Sequence, residues 1–121
     1  MRYELSQSFY FEAAHTLRRK IDVEPSLRIH GHTYIAEVTL AGEPDPDSGM
    51  LVDLAHLRGH IETLRLALDH RFLDEVADLG PATLENLCAF IWRAMEARYA
   101  QQLDCVEVRR QASGDACRLR R

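Results

Sequence analysis

The chain has 121 residues, 46% of them hydrophobic and 28% charged, and a formal net charge of -4 at pH 7. That length closes one core rather than two, so residues 1–121 read as a single domain. No apolar run is long enough to span a bilayer, and the negative balance gives no broad attraction to nucleic acid or anionic lipid.

The opening MRYELSQSFYFEAAH alternates polar and apolar residues instead of placing a basic flank before an apolar signal segment, so the expected location is the cytoplasm. Tyr3, Leu5, Phe9 and Phe11 fall on one parity, which predicts a half-buried strand over residues 3–11. After a loop over 16–29, a second strand is expected from about His32 to Ala41, with Tyr34, Ala36, Val38 and Leu40 sharing a face. The turn formers of GEPDPDSG then reverse the chain.

Asp53 is placed to cap a helix over Leu54 to Leu68, whose apolar stripe is Leu54, Leu57, Ile61, Leu64 and Leu68. Gly80-Pro81 precedes a second helix starting near Thr83, with Leu87, Phe90, Ile91, Ala94 and Met95 facing inward. Two short strands follow, around Cys105 to Gln111 and Ala116 to Leu119, separated by the turn signal Ser113-Gly114-Asp115. The order ββααββ with short links predicts an α+β domain, a four-stranded antiparallel sheet with both helices on one face.

Cys88, Cys105 and Cys117 are odd in number and lack CxxC spacing, so they read as core or near-core thiols. The basic clusters Arg18 to Lys20 and Arg118 to Arg121 read as solvated surface, with phosphate contact as the alternative.

The histidines carry the chemistry. His30 and His32 flank a glycine, and a two-residue step along a strand puts both imidazoles on one face. A hairpin can return His15, at the end of FEAAH, beside them. Three neutral imidazoles leave one tetrahedral position open, the arrangement of catalytic rather than structural zinc. The alternative for such strand histidines is a plain hydrogen bond to a carbonyl. His56 and His60 share a helical face without the HExxH glutamate and read as solvated. Asp69-His70 ends the first helix and reads either as a proton relay or as dipole pairing at the helix terminus.

Taken in order, FEAAH, the HGH at 30 to 32, GMLVDLAHL with Asp53, LDHRFL with Asp69-His70, and PATLENL with Thr83 and Glu85 resemble the 6-pyruvoyltetrahydropterin synthase family. That family includes the 6-carboxytetrahydropterin synthases of queuosine biosynthesis, which the spacing of His15 and His30 also resembles. The resemblance implies a tunnelling fold, in which sheets of several subunits join into a barrel, commonly a homohexamer with active sites at subunit interfaces. It implies zinc on His15, His30 and His32, a pterin triphosphate as small-molecule substrate, and proton transfer by Asp69 and His70.

Two features of the family pattern, its catalytic cysteine and its pterin-holding glutamate, are missing. Four residues before HGH, where the carboxytetrahydropterin branch has its catalytic cysteine, stands Ser26, a far weaker acid than a thiol. Six residues before HGH, at the cysteine position of the pyruvoyl branch, stands Glu24, which the resemblance makes a candidate general base. The glutamate that holds the amino-pyrimidine edge of the pterin is replaced by Arg110, a group with donors only. Thr83, Glu85 and Arg110 are then the substrate-binding candidates, with Glu85 best placed to compensate for the lost glutamate and Arg110 suited instead to a carboxylate or phosphate on a different ligand. The two resulting expectations are a zinc-dependent lyase acting on the pterin side chain and a zinc-containing binding protein with a changed ligand.

Overall fold

The computed structural model describes residues 1–17, 20–21 and 23–121, and of residue 26 the backbone alone. The cluster at 18–20 and the side chain of Ser26 therefore lie outside the described residues, except for the exposed Lys20. The elements run β1 (Tyr3–His15), α1 (Val23–Leu27), β2 (His30–Gly42), α2 (Leu54–Leu68), a 3-10 turn (Leu73–Glu75), α3 (Leu84–Tyr99), β3 (Leu103–Arg110) and β4 (Ala116–Arg120).

The strands form one antiparallel sheet in the order β1-β2-β3-β4. β1 reaches four residues beyond its expected end, because Ala13, Ala14 and His15 find partners in His32, Gly31 and His30. Ladder pairing here overrides the weak strand preference of alanine. Part of the expected loop folds into α1, where Pro25 occupies the first turn and its missing N–H costs no helical bond.

Sheet parity sorts the side chains. Phe11, Tyr34, Ala36, Val38, Leu40, Val106 and Val108 are fully buried on one face. α2 covers it with Leu57, Ile61, Leu64 and Leu68, and α3 with Leu84, Leu87, Cys88, Ile91, Met95 and Tyr99. Ala94, expected inward, is exposed, and the stripe continues through Cys88 and Tyr99 instead. The Phe11 and Tyr34 rings stack at 5.0 Å on the paired strands β1 and β2. The opposite face carries Glu12, Thr33, Glu37 and Glu107, the last paired with Arg118 at 2.6 Å.

Both helices begin on the expected caps. Asp53 accepts a hydrogen bond from the Ala55 N–H at 2.9 Å, and Thr83 one from the Asn86 N–H at 3.1 Å. The Asn86 amide donates back to the Pro81 carbonyl at 2.8 Å, fixing the chain entering α3. Among the described residues no helix is long and apolar enough to cross a membrane.

Candidate metal centre and flanking groove

His15 and His30 are direct cross-strand partners, and His32 lies one parity step further along β2. All three imidazoles therefore emerge on the helix-covered face at one end of the sheet. Their ring centroids are 4.4 Å (15 to 30), 4.9 Å (15 to 32) and 5.1 Å (30 to 32) apart. One nitrogen from each falls within 4.8 Å of the others.

The outer nitrogens decide which atoms face inward. His15 is fully buried and its Nδ1 lies 3.1 Å from the Ala82 carbonyl, while the His30 Nδ1 lies 2.7 Å from the Arg28 carbonyl. A carbonyl can only accept, so each Nδ1 carries the proton and each Nε2 presents a lone pair. This is the arrangement in which backbone carbonyls orient metal-ligating histidines. The Nε2 atoms of His15 and His32 are buried and have no hydrogen-bond partner, a costly state that a metal ion relieves. Burial first, then the neighbouring imidazoles, pushes the His15 pKa down to about 4. Burial and then the Arg110 charge lower that of His32. Both are thus neutral near pH 7, the form that binds metals. The residues fit a metal ion, and a strand histidine satisfied only by carbonyls would leave these nitrogens unexplained.

Arg110 pairs directly with Tyr34 across β2 and β3, on the same face. Tyr34 is fully buried, and burial pushes its pKa up to about 12, so its hydroxyl keeps its proton. Periodicity marks Tyr34 only as core; the HxHxY parity was the available signal that it also belongs to the site.

Asp69 and His70 form a second constellation. The Asp69 carboxylate accepts from the Glu12 N–H at 2.9 Å, from Arg65 Nη2 at 3.1 Å and from His70 Nδ1 at 2.9 Å. The Glu12 N–H bond above all, with His70 and Arg65 adding to it, holds Asp69 below the usual carboxylate range. His70 adopts the left-handed conformation, φ 57°, which is uncommon outside glycine and needs support. Its N–H donates to the Glu12 carbonyl at 2.6 Å, and Ala14 bridges Phe72 in parallel. The imidazole is thus directed by a carboxylate at the end of α2.

Its Nε2 stands 4.0 Å from the Glu12 carboxylate, on the sheet face opposite the three histidines. A groove of ≈ 500 Å³ runs over this edge of the sheet, lined by Glu12, Gly31, Thr33, His70 and Phe72 and also by Ala13 and His32. Within one chain, the cluster of His15, His30 and His32 and the Asp69-His70 pair thus stand on opposite faces of the sheet, with His32 at the margin of the groove that holds His70.

The remaining candidates are more dispersed. Glu24 is exposed on α1, and Glu85 is exposed in the first turn of α3. Thr83 is half-buried as the α3 cap, next to the Ala82 carbonyl that meets His15. His56 is exposed, and His60 packs edge-on to Tyr99 at 5.8 Å, away from the cluster. The thiols of Cys88 and Cys105 are buried and that of Cys117 half-buried.

An antiparallel sheet carrying three clustered imidazoles at one end, backed by two helices, defines a small α+β domain with a candidate metal site. The profile of the 6-pyruvoyl tetrahydropterin synthase family matches residues 4–118, and the chain belongs to that family. A 6-pyruvoyl tetrahydrobiopterin synthase of Homo sapiens is 35% identical over 104 residues, covering 74% of this chain and 71% of that protein. One of Drosophila melanogaster is 39% identical over 67 residues, a stretch covering 52% of this chain and 40% of the relative's length. The Caenorhabditis elegans 6-pyruvoyl tetrahydropterin synthase structure superposes with a TM-score of 0.87 at 24% identity, covering 100% of this chain and 96% of that one. A Plasmodium vivax 6-pyruvoyltetrahydropterin synthase, a variant with a catalytic glutamate changed to cysteine, superposes at 0.76 with 18% identity, covering 100% and 98%.

Proposed function

We propose that the protein is a zinc-dependent lyase acting on the side chain of 7,8-dihydroneopterin triphosphate or a closely related pterin triphosphate. The observation that carries this reading is the pair of buried, unpartnered Nε2 atoms on His15 and His32, with the His15 ring fixed by a carbonyl. His15, His30 and His32 would hold the zinc through Nε2. When bound there, zinc supplies a Lewis acid that holds side-chain hydroxyls and acidifies the adjacent carbon.

The chain's own residues would move the protons. His70, directed by the Asp69 carboxylate, would give or take a proton at Nε2, in the groove 4.0 Å from the Glu12 carboxylate. Because that pair stands on the sheet face opposite the histidines, a complete site would combine the histidines of one subunit with the Asp69-His70 pair of another. That arrangement calls for a homo-oligomer; a hexamer is the form the family resemblance implies, and the cytoplasm its expected location. Glu24 would serve as the base at the position of the family's cysteine; a catalytic glutamate in the Plasmodium vivax relative supports the assignment. Thr83 and Glu85, at the start of α3 beside the Ala82 carbonyl, would contact the substrate.

The second reading is a zinc-containing binding protein, favoured by Arg110 at the position of the pterin-holding glutamate and by Ser26 at a cysteine position. Zinc-loaded protein incubated with dihydroneopterin triphosphate, with products followed by mass spectrometry, separates the two. The lyase yields a pyruvoyl, carboxy or hydroxymethyl pterin at an enzyme-dependent rate, and Glu24→Gln loses that rate while keeping its zinc. Unchanged substrate over histidine-bound zinc supports the binding protein.

A further inference from the structure

Among the described residues, the buried side-chain nitrogen and oxygen atoms without a hydrogen-bond partner are His15 Nε2, His32 Nε2, the Tyr34 hydroxyl and Arg110 Nε. They gather in one place. The Tyr34 ring lies 5.7 Å from that of His32 and 6.5 Å from that of His15, and Arg110 is the direct cross-strand partner of Tyr34.

The four atoms need two kinds of partner. A metal ion takes up lone pairs, so it satisfies the imidazole nitrogens and nothing else. The Arg110 Nε–H is a donor without acceptor capacity, and the Tyr34 hydroxyl proton likewise needs an acceptor. Among the described residues neither donor meets an acceptor. Glu107 faces the other side of the sheet and is paired with Arg118 at 2.6 Å. The exposed Asp115 accepts from the Ser113 hydroxyl at 2.9 Å, and Arg110 makes no ion pair among the described residues. An unpaired guanidinium beside a divalent ion is a costly arrangement until a negative group joins it.

We infer that Arg110 and Tyr34 form an oxyanion subsite beside the three histidines, which takes a carboxylate or phosphate group of the ligand. The planar fork of Arg110 suits the paired oxygens of either group, and the Tyr34 hydroxyl adds a donor from the core side. The inference rests on the proposed lyase reading for the metal beside the subsite, and it narrows the substrate class. A neutral amino-pyrimidine edge, itself rich in donors, would leave both groups unsatisfied. The accepted substrates would instead present an anionic group at this end of the pocket.

The test is calorimetric titration of the zinc-loaded protein with inorganic phosphate, with acetate, and with neopterin as the neutral comparison. Phosphate or acetate is expected to bind more tightly than neopterin, and the tighter of the two identifies the oxyanion. Arg110→Gln should weaken that binding by about tenfold or more, the size of a lost charge-assisted pair. Arg110→Lys should recover part of it, and Tyr34→Phe should weaken it by roughly three- to fivefold, with zinc content unchanged in all three. Equal affinity in the parent and Arg110→Gln would overturn the subsite, since the anion would then sit on the metal alone; so would the absence of anion binding to the parent. If Arg110→Gln does not fold, Arg110→Lys and Tyr34→Phe decide by the same comparison. Phosphate binding through Arg110 without turnover of dihydroneopterin triphosphate refutes the lyase and leaves the subsite standing. Turnover with anion affinity indifferent to Arg110 does the reverse.

Discussion

The Nδ1 atom of His15 lies 3.1 Å from the carbonyl oxygen of Ala82, the residue immediately before the cap of α3. The orientation of a buried imidazole on β1 is thereby tied to the start of a helix 67 residues away in sequence. Thr83 does two things at once: it satisfies the Asn86 N–H and it fixes the segment that presents the Ala82 carbonyl.

Thr83→Ala should therefore cost about 1 kcal/mol of stability, the usual worth of a helix cap. It should also weaken metal binding by roughly tenfold, the low end for loss of an orienting partner. Urea denaturation and competition with a zinc chelator measure the two separately. Weakened stability with unchanged metal affinity would show that the carbonyl holds its place without the cap.

The metal-free protein should lose stability on mild acidification. His15 has its pKa pushed down to about 4 from the ordinary 6.5. Above pH 6.5 the imidazole is neutral in folded and unfolded chains alike, so it has no effect. Between pH 6.5 and 4 the unfolded chain takes up the proton and the folded one does not, which favours unfolding. At pH 5 this amounts to about 2 kcal/mol from His15, and His32 adds in the same direction. Urea midpoints of the metal-free protein at pH 7 and pH 5, with His15→Gln as control, check the sign.

Asp69→Asn should abolish most turnover of a pterin substrate while leaving zinc content intact, because the carboxylate stands on the far face of the sheet from the histidines. Mixed oligomers of Asp69→Asn and His32→Ala subunits should recover part of the activity that neither parent shows. Recovery proportional to the mixing ratio, measured after refolding the two together, establishes that each site draws on two chains. No recovery from properly mixed oligomers would place the whole site within one.

Cys88 should resist alkylation in the folded protein. Burial, reinforced by Cys117 beside it, pushes its pKa up to about 12, so the reactive thiolate is scarce at pH 8. Its thiol donates to the Cys117 carbonyl at 3.3 Å, which ties α3 to β4. Iodoacetamide labelling followed by peptide mass spectrometry should modify Cys88 only in urea.

The helices and the shared face of His30 and His32 were legible because both depend on local spacing. Asp53 and Thr83 stand where capping chemistry requires them, and the HGH step fixes a shared face without any knowledge of the partner strand. The extension of β1 through Ala14 was not legible, since alanines carry no strand signal and only pairing with Gly31 and His32 reveals it. The placement of Asp69-His70 was hidden for a related reason. Its face is set by backbone bonds from residues 70 and 71 to the edge of β1, long-range contacts that leave no periodic trace. Arg110 stood out as a departure from a family pattern, but its unpartnered Nε and the unpartnered Tyr34 hydroxyl across the strands leave no mark on hydrophobic periodicity.

The pairing of His15 with His30 also bears on how the hairpin finds its alignment. A slip of β1 by one residue against β2 would turn every side chain of the slipped strand to the other face. Glu12 would then enter the core and His15 would leave the cluster, so a misaligned hairpin could not assemble the three ligands. The metal would thus act as a proofreader of strand alignment, rewarding one register and withholding its binding energy from the rest. A site made for chemistry would in this way also help its own scaffold to fold.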